Sequence, residues 1–155
     1  PNMTDNLKKL TGKNKNDYEF VAKHLIDDCD VELFKELVEN DGFLFDFVKN
    51  NVSQRISDAI NNSNYKNLIE FLKYYSPSYE NVIVSALVNH ADEDLTDLML
   101  DKLENGTDDE KAYASKYFAK VQDPLAYDFL TSNAYSDNEF LAQNCASTLG
   151  ESMLN

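Results

Sequence analysis

Residues 118–130 read Phe118-Ala119-Lys120-Val121-Gln122-Asp123-Pro124-Leu125-Ala126-Tyr127-Asp128-Phe129-Leu130. Three of these positions belong to columns that recur along the chain. Leu130 is preceded, at intervals of 31 residues, by Met99, Leu68 and Leu37. Phe118 is preceded at the same interval by Leu87, Ile56 and Leu25, and followed by Leu149. Asp123 follows Asp92, Asn61 and Asp30. All four are good helix N-caps, because a short side-chain oxygen accepts from the first free amides. Two more columns keep the register: Val21, Val52, Ile83, Ala114 and Cys145, then the smaller Ala22, Ser53, Val84, Ser115 and Ala146. The 155 residues make five such periods. A period of this length signals stacked supersecondary units, none of which buries its apolar face alone.

The units are helical. Gly and Pro number only 4 and 3, strand-like alternation is missing, and apolar residues recur at helical spacing. Each period holds two helices. The cap residue starts helix A, which carries the Leu37 column. A break follows at Gly42, Ser76-Pro77, Gly106 or Ser136. Helix B then carries the Val21 and Leu25 columns. The spacing predicts helices over 18–28, 31–39, 45–60, 63–75, 78–90, 93–104, 108–121, 124–132 and 138–149. A short helix at 4–11, capped by Thr4 and closed by Gly12, reads as a reduced first helix A, with Leu7 and Leu10 in the columns of Ile69 and Leu72. Residues 1–17 are thus a short helix and a polar connector. Residues 18–155 are one repeat domain, with repeats near 30–60, 61–91, 92–122 and 123–153. The expected fold is all-α, a right-handed superhelix (solenoid) of antiparallel helix pairs. The small column marks where adjacent helices approach closely.

The stretch Phe118–Ala126 followed by Leu130 resembles the L-G-x-I-G-D-P-x-A-x-x-x-L signature of the short HEAT-like repeats also found in phycobilisome lyases. Ala119 and Gln122 replace its glycines, and Leu149-Gly150 repeats its Leu-Gly element. Where the class opens helix B with Val-Arg, this chain has Glu110-Lys111 and, later, Phe140-Leu141 or Leu141-Ala142. The resemblance implies a fold, and protein binding along one face formed by the B helices on the concave side. It carries over no bilin chemistry, because no catalytic residue of that class is matched. Distant helical-repeat relatives that excise damaged bases use a basic groove, which does not fit a chain with no Trp and one Arg.

Composition narrows the function. There are 28 acidic against 14 basic residues, a net charge of -14 and a pI near 4.3. Arg55 is the single arginine. Direct binding of nucleic acid or of an anionic membrane is disfavoured. The acidity serves solubility, or else it mimics nucleic-acid charge toward a basic protein. No apolar run approaches the roughly 20 residues of a membrane helix, and no basic segment leads into a signal-peptide-like stretch. Cys29 and Cys145 lie outside any CxxC or His/Cys cluster, so no zinc site is expected. They read as reduced, buried apolar residues, and the expected compartment is the cytoplasm.

Catalytic constellations are missing too. His24 flanks the Leu25 column and His90 sits in a last helical turn, where the dipole favours an imidazolium; both read as structural. Asp27-Asp28, Asp92-Glu93-Asp94 and Asp108-Asp109-Glu110 are paired carboxylates, but the last two groups suit helix N-termini. No calcium loop or glycine-rich phosphate loop is present. No enzyme activity, cofactor or metal is expected.

At 100° per residue, the side of helix B opposite its core carries Asn50, Asn81 and Gln143, then Lys23, Gln54, Ser85 and Lys116. At its edge lie Phe20, Asn51, Tyr113 and Asn144, with Phe47 and Phe140 beyond. Amides with scattered aromatics suit a protein or peptide partner. Phe20, Phe47, Tyr113 and Phe140 are equally placed to tuck between repeats. The last helix B, with Phe140, Leu141, Leu149, Met153 and Leu154, has no cap helix after it. That end is expected to pack on a partner or a second copy, or to continue a longer array. Pro1-Asn2 before Met3 reads as a tag remnant. The leading expectation is a non-enzymatic scaffold that binds through the concave B-helix face or the C-terminal end. The alternative is an acidic inhibitor of a basic nucleic-acid-binding protein.

Overall fold

The computed structural model describes residues 31–40, 49–50, 53–54 and 65–154. Among these the regular structure is entirely helical. Seven helices are defined: α1 Val31–Glu39, α2 Tyr65–Phe71, α3 Glu80–Asn89, α4 Glu93–Asn105, α5 Asp108–Lys120, α6 Ala126–Asn133 and α7 Glu139–Leu154. Their bounds follow the 31-residue pattern closely. The helices expected at 4–11 and 18–28, and most of 45–60, lie outside the described residues, as do Asp30, Asn61, Cys29 and His24. The chain divides into two compact units, Pro1–Ala86 and Leu87–Asn155, the division falling inside α3.

In the first unit α1 packs on α2. Leu33 and Phe34 lie one turn before Leu37 on one face of α1, and all three are buried. Phe34 meets Phe71 at 5.1 Å and Tyr79 at 5.8 Å between ring centroids, both tilted. These are favourable aromatic geometries, worth up to about 1.5 kcal/mol each beyond burial. Helix α2 stops at Phe71, four residues short of the expected end, because tight turns take over. The Leu72 and Tyr74 amides donate three residues back, to Ile69 and Phe71. The Ser76-Pro77 break is real: the Ser76 carbonyl then accepts from the Tyr79 and Glu80 amides and starts α3.

In the second unit α4 packs on α5 and on α6, and α7 packs on α5 and on α6. First helices therefore lie against first helices, and second against second. Asp92 caps α4 as its column requires, accepting from the Leu95 amide at 2.7 Å. Gly106 closes α4, its amide donating to the Lys102 carbonyl. A Cβ added at Gly106 would lie 2.4 Å from that carbonyl oxygen, so only glycine fits this close approach. Asp123 departs from its column. It accepts from the Leu125 amide two residues on, and Leu125 itself occupies the cap position of α6. Pro124 holds the chain in a turn there, so the helix starts later than the Asp suggests. Asn138 opens α7 by accepting from Leu141 at 3.0 Å.

The columns are the core. Leu37, Leu68, Met99 and Leu130 are buried, as are Ile83, Ala114 and Cys145, and Leu87 and Phe118. The last member of two columns departs: Leu149 is half-buried and Ala146 is exposed. Helix α7 makes its close approach through Thr148 instead, whose hydroxyl donates to the Ser115 carbonyl at 2.9 Å. Asn133 donates to the Leu103 carbonyl at 3.3 Å and Asn138 to Asp108 at 3.0 Å. Side chains thus join positions about one period apart.

Candidate functional site

Helix α4 is two-faced. Leu95, Met99 and Leu103, each four residues on, point inward and are buried. Asp94, Asp97, Asp101 and Glu104 are exposed. Helix α5 is different. Ala112, Tyr113, Ala114 and Ser115 are consecutive and all buried. Four consecutive residues span about 300° of a helix, so α5 keeps no broad open face.

That burial corrects the expected binding stripe. Tyr113 is fully buried and Asn144 is only 8% exposed, so neither belongs to an open surface. Tyr113 takes the packing role that its edge position also allowed. Lys116 is half-buried. Asn81 and Ser85, one turn apart on α3, are exposed, as are Asn50, Gln54 and Gln143. Phe20, Lys23, Asn51 and Phe47 lie outside the described residues.

The N-terminus of α5 carries the most ordered polar group. Thr107 and Glu110 form a reciprocal capping box: the Glu110 amide donates to the Thr107 hydroxyl, and the Thr107 amide to the Glu110 carboxylate at 3.0 Å. The Lys102 ammonium reaches the same carboxylate at 2.6 Å. Burial pushes the Glu110 carboxyl up. Its bonds to Lys102 and Thr107, with the charge of Lys102, outweigh that and hold it below the ordinary glutamate value. The position of the acidic run accounts for amide capping and for the helix dipole, but not for this reciprocal pair. The Thr-x-x-Glu spacing was the signal for this box.

Burial sets the state of the two other shifted side chains. Burial pushes the Cys145 thiol up to about 11, although Ser115 and Lys111 pull the other way. A nucleophile needs the reverse shift. Burial likewise raises the Tyr117 phenol against its hydrogen bond with Thr96, which spans 2.8 Å. Among the described residues, no three His, Cys, Asp or Glu side chains come together as metal ligands. No described helix is long and apolar enough to cross a membrane.

Large apolar side chains reach the open surface of the second unit at Leu125, Tyr127, Tyr135 and Phe140. Leu125 is 67% exposed and Tyr127 is 54% exposed, on either side of Ala126. Each lines its own recess, and Pro124 lines both. The first recess, about 210 Å³, is walled by Phe118, Gln122, Asp123, Ala126, Tyr127, Leu130 and Leu149. The second, about 480 Å³, is walled by Leu100, Leu125 and Phe129 with Asp97, Asp101, Glu104 and Asp128. Phe140 and Tyr135 are exposed nearby in sequence, at the start of α7 and the end of the preceding turn. The sequence points instead to the end of the last helix, through Phe140, Leu141, Leu149, Met153 and Leu154, and singles out neither Leu125 nor Tyr127. Of that group Phe140 is exposed, Leu149 half-buried and Leu141 buried, and the side chains of Met153 and Leu154 lie outside the described residues. Comparison with models of known protein families, with curated proteins and with solved structures returns no match.

Proposed function

We propose that the chain is a non-enzymatic module of HEAT-like helix pairs that binds a segment of another protein. On this reading about four 31-residue repeats stack as a right-handed superhelix behind a partial first repeat. The like-on-like packing of α4 with α6 and α5 with α7 supports that arrangement. The observation that carries the binding role is the exposure of Leu125 and Tyr127 beside open recesses in the C-terminal helix pairs. Large apolar side chains that stand exposed at the mouths of recesses are candidate interaction sites. Asn50, Gln54, Asn81 and Ser85, exposed in the first unit, are a second, polar candidate. The free, buried Cys145 suits a reducing compartment such as the cytoplasm.

The test is capture and then reconstitution. The intact chain, a Tyr127→Ala/Leu149→Ala variant and an Asn50/Gln54/Asn81/Ser85→Ala variant are used as baits at low and high salt. Each retained protein is then purified and titrated. Direct binding that resists salt and is lost with one variant supports the module. Binding that both variants and Leu125→Ala keep, but that salt and neutralisation of Asp92, Asp108 and Asp109 abolish, replaces it with the acidic-inhibitor reading. Exposed Asp92, Asp97 and Asp108 favour that second reading.

A further inference from the structure

The larger recess joins an apolar floor to an acidic rim. Leu100 and Phe129 are half-buried and Leu125 stands well exposed. Asp97, Asp101 and Glu104 follow one face of α4, and Asp128 faces them from α6. No lysine or arginine lines it. Lys102, on the same helix, is engaged by Glu110. Asp101 accepts a hydrogen bond from Asn105, and none of the four carboxylates makes an ion pair among the described residues. The carboxylates also do not gather as metal ligands. They are spread instead: seven residues of helix place Asp97 and Glu104 about 10 Å apart along the groove.

From this geometry we propose that the groove between α4 and α6 receives a basic amphipathic helix of a partner protein. Its apolar side chains would seat on Leu100, Leu125 and Phe129, and its Lys or Arg residues would pair with the four carboxylates. The pitch of the rim matches cations at i, i+4 and i+7 on such a helix. The inference rests on the module reading and names the chemistry of its partner. It concerns the acidic side of Pro124, not the recess of Tyr127 and Leu149.

The test uses the full chain and a synthetic Leu/Lys peptide of about 18 residues with leucines at helical spacing. The controls are a scrambled peptide of the same composition and polylysine. Fluorescence anisotropy should show the amphipathic peptide binding at least about tenfold tighter than either control. D97N/D101N/E104Q/D128N should weaken it about tenfold or more, and Leu125→Ala about fivefold, with helicity unchanged by circular dichroism. Removing equal charge outside the groove, at Asp108, Asp137, Glu139 and Glu151, should cost less than about twofold. Equal binding of the scrambled peptide, or equal loss with the outside variant, overturns the proposal in favour of bulk charge attraction. Such a failure leaves the Tyr127/Leu149 and Asn/Ser variants of the capture experiment to decide the module reading separately.

Discussion

Helices α4 and α5 have the same length and are joined only by Gly106 and Thr107, yet they do opposite work. Helix α4 buries a narrow stripe, Leu95, Met99 and Leu103, and offers its carboxylates to solvent. Helix α5 buries Glu110, Ala112, Tyr113, Ala114, Ser115, Tyr117 and Phe118. One helix presents a surface and its partner fills an interior. The difference is one of burial arc, because α5 lies against α4 on one side and α7 on another. Stability should therefore track α5 and the turn before it, while binding should track α4.

The contrast breaks most sharply at Tyr113. Tyr113→Ala should lower unfolding free energy by about 3–5 kcal/mol, read from urea denaturation, since the site loses a whole buried aromatic. Replacing half-buried Leu100 of α4 by alanine should cost clearly less. The link between the helices comes next. Gly106→Ala should cost roughly 1–3 kcal/mol, because the added Cβ meets backbone that cannot yield. Glu110→Gln should cost about 1–2 kcal/mol at neutral pH. Its pH signature is specific. The folded carboxyl lies below its ordinary value, so its contribution is complete above the unfolded value of 4.5 and is lost as pH falls through the folded one. Wild type should lose stability more steeply than Glu110→Gln across that window, measured by urea midpoints at stepped pH. At the small end, Asp97→Asn and Glu104→Gln should stay within about 0.5 kcal/mol of wild type. A large loss from either would show that α4 is structural on both faces. Lastly, in a Cys29→Ala background Cys145 should resist a thiol reagent at neutral pH until the chain unfolds, as its raised pKa requires.

Much of this fold is legible from periodicity. Met99 and Leu130, or Ile83 and Ala114, are found in the interior because a 31-residue recurrence at helical spacing can only be satisfied by repeated burial. Asp92 is legible as a cap for the same local reason. Tyr113 and Asn144 were not legible as interior residues. A helical wheel says which face is buried first, and nothing in it says whether the opposite face stays open. Asp123 misled because Pro124 imposes a turn before α6. Thr107 was legible and overlooked, since the neighbouring aspartates explain the helix start without it. One recess beside Pro124 depends on how α5, α6 and α7 meet and the other on how α4 and α6 meet, which no single segment encodes.

The side-chain hydrogen bonds between periods carry a further consequence. Asn138, just before α7, reaches Asp108, and Thr148 on α7 reaches the Ser115 carbonyl. Deleting one residue between Asn138 and Thr148 would rotate one donor by about 100° relative to the other, so both could not bond at once. Exposed Ser147 is thus free to change identity. The number of residues between the two donors is not. Within this helix, natural variation should appear as substitution and never as a gain or loss of length.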